Sequence, residues 1–348
     1  MKPRLSWLLL PFALLSLTGC GKNTPSLSAY VSALPFAENF SVLQLTDIHW
    51  STLTDRTHQK AYLSQVIEAA KKSSPTGDIG LIMVTGDCTL LGSKDVVKDL
   101  FDFIASYNIP FAVTWGNHDR ESAYSMAWLD ALVSSYPKSL YKDLDDEVTG
   151  RSNYVISLTE SGKAVWQIYS LDSGSYEPSS TPLRYSYDRI HPDQSAWFAK
   201  EADDASNVPS LAYFHIPTRE WQEVYEKKTY SKKAFEQNEK FCPSENASDF
   251  FSVAKTHNIK GLFCGHDHSN DLTMTYEGVV LGYGVKSGTE LSFGVSKTRT
   301  YLPSGQAEAK PLQLIGGSLS LLHGDGTFDL KHLYVQEDGL YSVVEETF

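Results

Sequence analysis

The sequence predicts an α/β protein, a β-sheet with helices on its faces. Two observations carry that expectation. From Asn39 to Ser134, short apolar runs alternate with longer stretches of helical periodicity, the βαβα order of a layered fold. Further, five apolar runs stop abruptly at Asp, Asn or His, and in open α/β sheets the ligand site lies beyond the carboxyl ends of the strands. With 348 residues, 41% of them hydrophobic, the chain has material for a full core, as one large domain or two.

The first strand runs from Asn39 to Thr46 and leads directly into Asp47-Ile48-His49. His58 to Ser73 puts Tyr62, Leu63, Val66, Ile67 and Ala70 on one face of a helix. Gly80 to Thr85 is an apolar strand closed by Gly86-Asp87. A helix over Lys94 to Tyr107 follows, with Ser93 as its N-cap. The strand Pro110 to Trp115 leads into Gly116-Asn117-His118-Asp119, and a helix over Ser122 to Ser134 comes next. Tyr154 to Leu158 and Val165 to Leu171 read as strands, and Asp172 to Asp188 as a loop rich in Ser, Pro and Tyr. Pro192 suits the first position of a helix reaching Ala202. Ser210 to Phe214 is a strand ending at His215-Ile216-Pro217, and residues 218–246 are irregular apart from a short helix near Trp221. A helix over Ala247 to Thr256 leads into the strand Lys260 to Cys264, where Gly265 permits a tight loop bearing His266 and His268. Strand-like runs follow at Leu272–Tyr276, Val279–Tyr283, Leu312–Ile315, Phe328–Val335 and Tyr341–Val344, with a polar loop over Lys286 to Lys310.

The ends and the charge bound the function. Lys2 and Arg4 precede an apolar run, Leu5 to Leu17, too short to span a bilayer and remain there. Small residues before Cys20, in Leu17-Thr18-Gly19-Cys20, resemble a bacterial lipoprotein signal, which implies removal of residues 1–19 and acylation at Cys20. The alternative is an ordinary secretory signal with an incidental cysteine. Residues 20–37 are then expected to be a flexible tether and 38–348 the folded domain, held outside the cytoplasm on a membrane by its lipid. The remaining cysteines, Cys88, Cys242 and Cys264, form no disulfide framework. A net charge of −12 argues against a general nucleic-acid binder, yet leaves room for a phosphate-handling enzyme whose bound cations supply positive charge. No Walker loop or Gly-x-Ser-x-Gly elbow is present, so nucleotide-driven work and serine hydrolysis lack support.

Asp47, His49, Asp87, Asn117, His118, His215, His266 and His268 all follow strand ends, and they include five of the ten histidines. Neutral imidazole and carboxylate are ligands for first-row metals. The blocks Asp47-x-His49, Gly86-Asp87, Gly116-Asn117-His118-Asp119, the lone His215 and Gly265-His266-x-His268, in that order, resemble the calcineurin-like metallophosphoesterases over roughly residues 39–285. Leu171-Asp172-Ser173-Gly174, Phe214-His215-Ile216-Pro217, Gly261 to His268 and Gly282-Tyr283-Gly284 are most similar to the short purple-acid-phosphatase-related group of plants and fungi and its bacterial relatives. One position departs from the purple enzymes: their tyrosine ligand, three residues after the second-block aspartate, is Leu90 here, so no purple colour is expected.

The resemblance implies a four-layer α/β/β/α sandwich, two mixed β-sheets flanked by helices. It also implies two metal ions, Mn, Fe or Zn. One would be held by Asp47, His49, Asp87 and His268, the other by Asp87, Asn117, His215 and His266, with Asp87 bridging. A hydroxide on the metal pair would attack phosphorus in line. His118 would act as general acid or as a donor to the phosphate, and Asp119 would be a further catalytic candidate or a loop-capping carboxylate. Arg120 is expected behind the ligands, and Tyr176, Tyr185, Tyr187 and Trp221 either wall the pocket or serve ordinary packing. His58, His191, His257, His323 and His332 read as surface or helix-end histidines. The expected activity is hydrolysis of a small phosphomonoester or phosphodiester by a monomer. The alternative is a catalytically silent cell-surface binding lipoprotein that keeps the fold.

Overall fold

The computed structural model describes residues 30–53, 55–143, 147–289, 298–301, 310–336 and 341–347. The expected leader 1–19, Cys20, most of the expected tether and much of the loop 286–310 lie outside the described residues. In chain order the strands are β1 (Val31–Pro35), β2 (Phe40–Leu45), β3 (Leu81–Thr85), β4 (Phe111–Thr114), β5 (Tyr154–Glu160) and β6 (Lys163–Ser170). They continue with β7 (Tyr176–Pro178), β8 (Tyr185–Tyr187), β9 (Ser210–Tyr213), β10 (Lys232–Ala234), β11 (Ile259–Cys264) and β12 (Thr273–Tyr276). The last six are β13 (Val279–Tyr283), β14 (Thr298–Tyr301), β15 (Lys310–Gln313), β16 (Gly316–Leu322), β17 (Phe328–Val335) and β18 (Tyr341–Thr347). The helices are α1 (Arg56–Ser73), α2 (Lys94–Ser106), α3 (Met126–Ser134), α4 (Pro192–Asp204), α5 (Glu220–Lys227) and α6 (Phe250–Ala254).

Two mixed sheets make the frame. One runs β18-β17-β16-β2-β3-β4, the other β1-β5-β6-β9-β11-β13-β12-β10. The period-two alternation of side chains shows how they are covered. On β9 and just beyond it, Leu211 and Tyr213 join the core containing Val42, Leu43 and Ile82 of the other sheet, whereas Ala212 and Phe214 join Phe198 of α4 and Trp221 of α5. The second sheet is therefore buried on both faces, by the first sheet on one and by α4–α6 on the other. Helices α1 and α2 supply Leu63, Val66, Val97 and Leu100 to the first core. The result is the expected two mixed sheets with helices outside.

Parallel pairing aims the polar strand ends at one place. β2, β3 and β4 pair in parallel, as do β9 and β11. Parallel strands require helical crossovers, and all their carboxyl ends emerge on the same side. Asp55 caps α1, its carboxylate accepting from the backbone of Thr57 and His58, and Ser125 caps α3 at Trp128.

Several expectations are corrected. Val31–Pro35, assigned to the tether, is an edge strand that pairs in parallel with β5 from Val31↔Val155 onward. It half-buries its side chains, and a lone edge strand carries little hydrophobic signal. β16 was missed because it opens on Gly-Gly and alternates serine with leucine, yet it pairs with both β2 and β17. The Asp172–Asp188 loop contains the hairpin β7–β8. Helix α3 starts only at Met126, after a 3₁₀ turn over His118–Glu121, and α6 is a single short turn. His332 is fully buried and stacks on Phe235, with ring centroids 3.9 Å apart.

Candidate metal centre

The expected ligands converge. Oxygen and nitrogen atoms of Asp47, His49, Asp87 and His268 lie within 4.8 Å of one another, and so do those of Asp87, His215 and His266. Asp87 belongs to both groups. Its Oδ2 lies 3.3 Å from His215 Nε2, 3.7 Å from His49 Nε2 and 4.0 Å from His118 Nε2. Asn117 Oδ1 is 3.2 Å from His215 Nε2, which places the asparagine with the second group.

The backbone holds these groups under strain. Asp47, His49, Asp87 and His266 all have left-handed φ, at 50°, 48°, 48° and 76°. Non-glycine residues with positive φ are uncommon, and such strain concentrates at functional sites. Neighbouring loops knit it in place: His49 N donates to Asp87 O, and Asp47 N donates to Gly86 O. Two glycines allow this density. A Cβ on Gly116 would lie 2.3 Å from Asp87 Oδ1, and one on Gly265 would lie 2.0 Å from Thr46 Oγ1 and 2.6 Å from Asp47 Oδ2. Gly265 is thus required for close approach; its φ is outside the left-handed region, so the turn itself does not demand glycine.

Hydrogen bonds orient the ligands. His215 Nδ1 lies 2.9 Å from Thr85 O, which fixes a proton on Nδ1 and turns Nε2 inward. His118 N donates to Asp87 Oδ1 at 2.9 Å, and His266 N sits 3.1 Å from Asp47 Oδ2. Thr46 Oγ1 is 2.9 Å from Asp47 Oδ2, and Gln44, itself buried, reaches Thr85 Oγ1 and Cys264 O.

The electrostatics fit bound cations. Burial holds the pKa of His49, His266 and His268 below the usual imidazole range, so their ring nitrogens present lone pairs. His49 Nε2 and His268 Nε2 face each other at 3.0 Å. His266 Nε2 is buried without a hydrogen-bond partner, and Asp87 Oδ2 has none in good geometry despite three imidazoles around it. Buried polar atoms are ordinarily paired, so this pattern points to a ligand that completes them. His215 is the exception: burial opposes charge on it, but the adjacent Asp87 carboxylate outweighs burial and raises it to about 10, so it must give up its Nε2 proton to serve as a ligand. The carboxylates and imidazoles form the mixed oxygen and nitrogen set that first-row divalent ions accept.

Around this core the structure distinguishes roles that sequence left open. Asp119 is buried, and its carboxylate accepts from Thr89 N at 3.2 Å and Gly116 N at 2.9 Å. It ties two ligand loops together, the contacts expected of the loop-capping alternative. Arg120 pairs with the buried Asp172. Tyr187 packs edge-on against His266, with ring centroids 4.2 Å apart, and stacks with Tyr176, whereas Trp221 is buried core and Tyr185 points to solvent. Leu90 donates its N–H to Trp50 O where a purple enzyme would have its tyrosine. Sequence reasoning missed Glu121, whose Oε2 is 2.6 Å from His118 Nδ1; its spacing of three residues on one short turn was the available signal. Two cavities of about 450 Å³ lie elsewhere, one by Phe40 and Tyr107 and one by Lys232 and Lys260, and neither is lined by a ligand.

Comparison with known proteins gives a consistent picture. Residues 40–270 match the family described as Calcineurin-like phosphoesterase. The chain is 29% identical over 287 residues to Probable inactive purple acid phosphatase 29 of Arabidopsis thaliana, spanning 70% of this chain and 71% of that protein. It is 26% identical over 266 residues to Phosphatase DCR2 of Saccharomyces cerevisiae, spanning 67% of this chain and 44% of that protein. A solved dimetal phosphatase from Danio rerio superposes with a TM-score of 0.55 at 12% identity, over 90% of this chain and 100% of that one, a likeness of fold.

Proposed function

This chain belongs to the calcineurin-like phosphoesterase family, and from that premise we propose that it is a dinuclear metal-dependent hydrolase of phosphomonoesters or phosphodiesters. The observation that carries the reading is the pair of ligand groups sharing Asp87, with His118 beside them. Asp47, His49, Asp87 and His268 would hold one ion, and Asp87, Asn117, His215 and His266 the other. Mn, Fe or Zn held there would supply a water acidic enough to attack near neutral pH and positive charge against the phosphoryl oxygens.

The chain does the rest. Asp87 and Asp47 place negative charge where cations must sit, and the left-handed backbone presets the ligands before any ion arrives. His118 stands at the edge of the centre, its side chain 18% exposed, where a substrate oxygen has access. In line with the attacking water, the leaving oxygen departs on the far side and takes a proton from His118 Nε2, a contribution typically of about 10²–10⁴ in rate. Tyr187 and Tyr176 wall one side with aromatic surface.

The proposal includes attachment to a membrane outside the cytoplasm through acylated Cys20. The second reading, a silent binding protein, draws on the word inactive in the name of the Arabidopsis relative. Against it, each expected ligand and His118 is present here. The experiment is metal content plus hydrolysis of p-nitrophenyl phosphate, its bis ester and nucleotides by Mn, Zn and Fe forms. Turnover that disappears with Asp87→Ala supports hydrolysis. Inactivity with all of them, or activity surviving Asp87→Ala, refutes it.

A further inference from the structure

We propose that Glu121 is a positioning residue that sets the orientation and proton placement of His118; the inference rests on His118 serving as proton donor in the reading above. The geometry is direct. His118 and Glu121 lie on the same 3₁₀ turn, where residues three apart eclipse each other. Glu121 Oε2 is 2.6 Å from His118 Nδ1. A carboxylate only accepts, so Nδ1 carries the proton and Nε2 is the nitrogen turned toward Asp87 Oδ2, 4.0 Å away. Glu121 is itself held, because Tyr176 Oη donates to Oε1 at 3.1 Å. Tyr176 stacks on Tyr187, which packs against His266. A string thus runs from the β7–β8 hairpin to the proton donor, touching the ligands His266 and Asn117 on its way.

An exposed ion pair alone contributes little. Here the value lies in fixing which nitrogen faces substrate. As the P–O bond breaks, its electron pair stays on the leaving oxygen, which takes the proton from Nε2. His118 ends neutral, with its remaining proton on Nδ1 held by Glu121, and is recharged from solvent. A carboxylate at Nδ1 accepts the hydrogen there and so keeps Nε2 as the nitrogen turned to the centre.

The test uses the zinc-loaded full chain and two readouts. In ¹⁵N spectra of the imidazoles, wild-type His118 should show the Nδ1–H tautomer, and Glu121→Ala should lose that preference. In turnover, an alkyl ester needs its leaving oxygen protonated, whereas p-nitrophenolate leaves as a stable anion. Glu121→Ala should therefore lower kcat on the alkyl ester by roughly 10²-fold and on the aryl ester by less than about threefold, with KM and metal content unchanged. Glu121→Gln, which keeps an acceptor oxygen, should restore part of the loss. In a His118→Asn background Glu121→Ala should have no further effect. An unchanged tautomer, equal losses on both esters, or a further loss in that background overturns the proposal. Should wild type hydrolyse neither ester, the phosphoesterase reading falls, and the tautomer measurement still decides whether Glu121 positions His118.

Discussion

Replacing Gly265 by alanine tests whether the ligand loops are packed to contact. The added Cβ would meet Thr46 Oγ1 at 2.0 Å and Asp47 Oδ2 at 2.6 Å. Reaching an ordinary contact of about 3.4 Å requires retreats of about 1.4 Å by Thr46 and about 0.8 Å by Asp47 (3.4 − 2.0 and 3.4 − 2.6). Thr46 is fully buried, its N–H bonds Ser287 Oγ, and its hydroxyl lies between Asp47 Oδ2 and Thr85 O. It has no open space to enter, so Asp47 must move. Overpacking of this kind costs about 1–3 kcal/mol, and a displaced buried hydrogen bond adds about 1 kcal/mol. A 1 Å displacement at a reacting centre lowers rate by about 10²-fold. Gly265→Ala is therefore expected to unfold at lower temperature, to hold fewer than two ions per chain by mass spectrometry, and to turn over about 10²-fold more slowly. Gly92 is the control, since the nearest atoms to its added Cβ would be Val96 Cγ1 at 3.4 Å and Thr89 Cβ at 3.5 Å. If Gly265→Ala keeps both ions and turns over within about threefold of Gly92→Ala, the contact argument is wrong.

Two further predictions concern the buried carboxylates behind the centre. Asp172 accepts from Arg120, from Arg151 N at 2.7 Å and from Gly174 N at 2.9 Å. Burial pushes its pKa up, but the Arg120 charge and these hydrogen bonds outweigh burial and hold it below the usual carboxylate range. Its stabilisation is thus present above a pH of about 4 and lost as pH falls below that. Asp172→Ala, which leaves Arg120 without its partner, should destabilise by about 3–5 kcal/mol at pH 7 in denaturant titration, with a smaller difference from wild type at low pH. Asp119→Ala should leave Thr89 N and Gly116 N without their acceptor and cost about 1–3 kcal/mol for each, read by thermal unfolding. Asp119→Asn should recover part of that loss, and a wild-type melting temperature in the alanine variant would show that these bonds do not brace the loops.

How much was legible beforehand depended on whether the signal was local. A run such as Leu81-Ile82-Met83-Val84-Thr85 announces a strand, and a polar residue immediately beyond it announces a strand end; both are properties of neighbours in sequence. The two ligand groups could therefore be listed from the family resemblance that these strand-end motifs carry, and the structure places their members together. What escaped were elements whose reason for existing is distant. β16 becomes a strand because β2 and β17 flank it, and β1 because β5 offers an edge 120 or more residues away.

Residue types at the strand ends, element order and the alternation of strand and helix were thus written in the sequence, because residue type and hydrophobic period are set residue by residue. Only the packed chain decided what each acidic side chain touches. Asp119 and Glu121 are both acidic residues within three positions of His118, yet one accepts from two buried backbone amides and the other grips the imidazole. The difference lies in direction and distance, and those are fixed only when two sheets close on each other and bring Thr89, Gly116 and Tyr176 to their places.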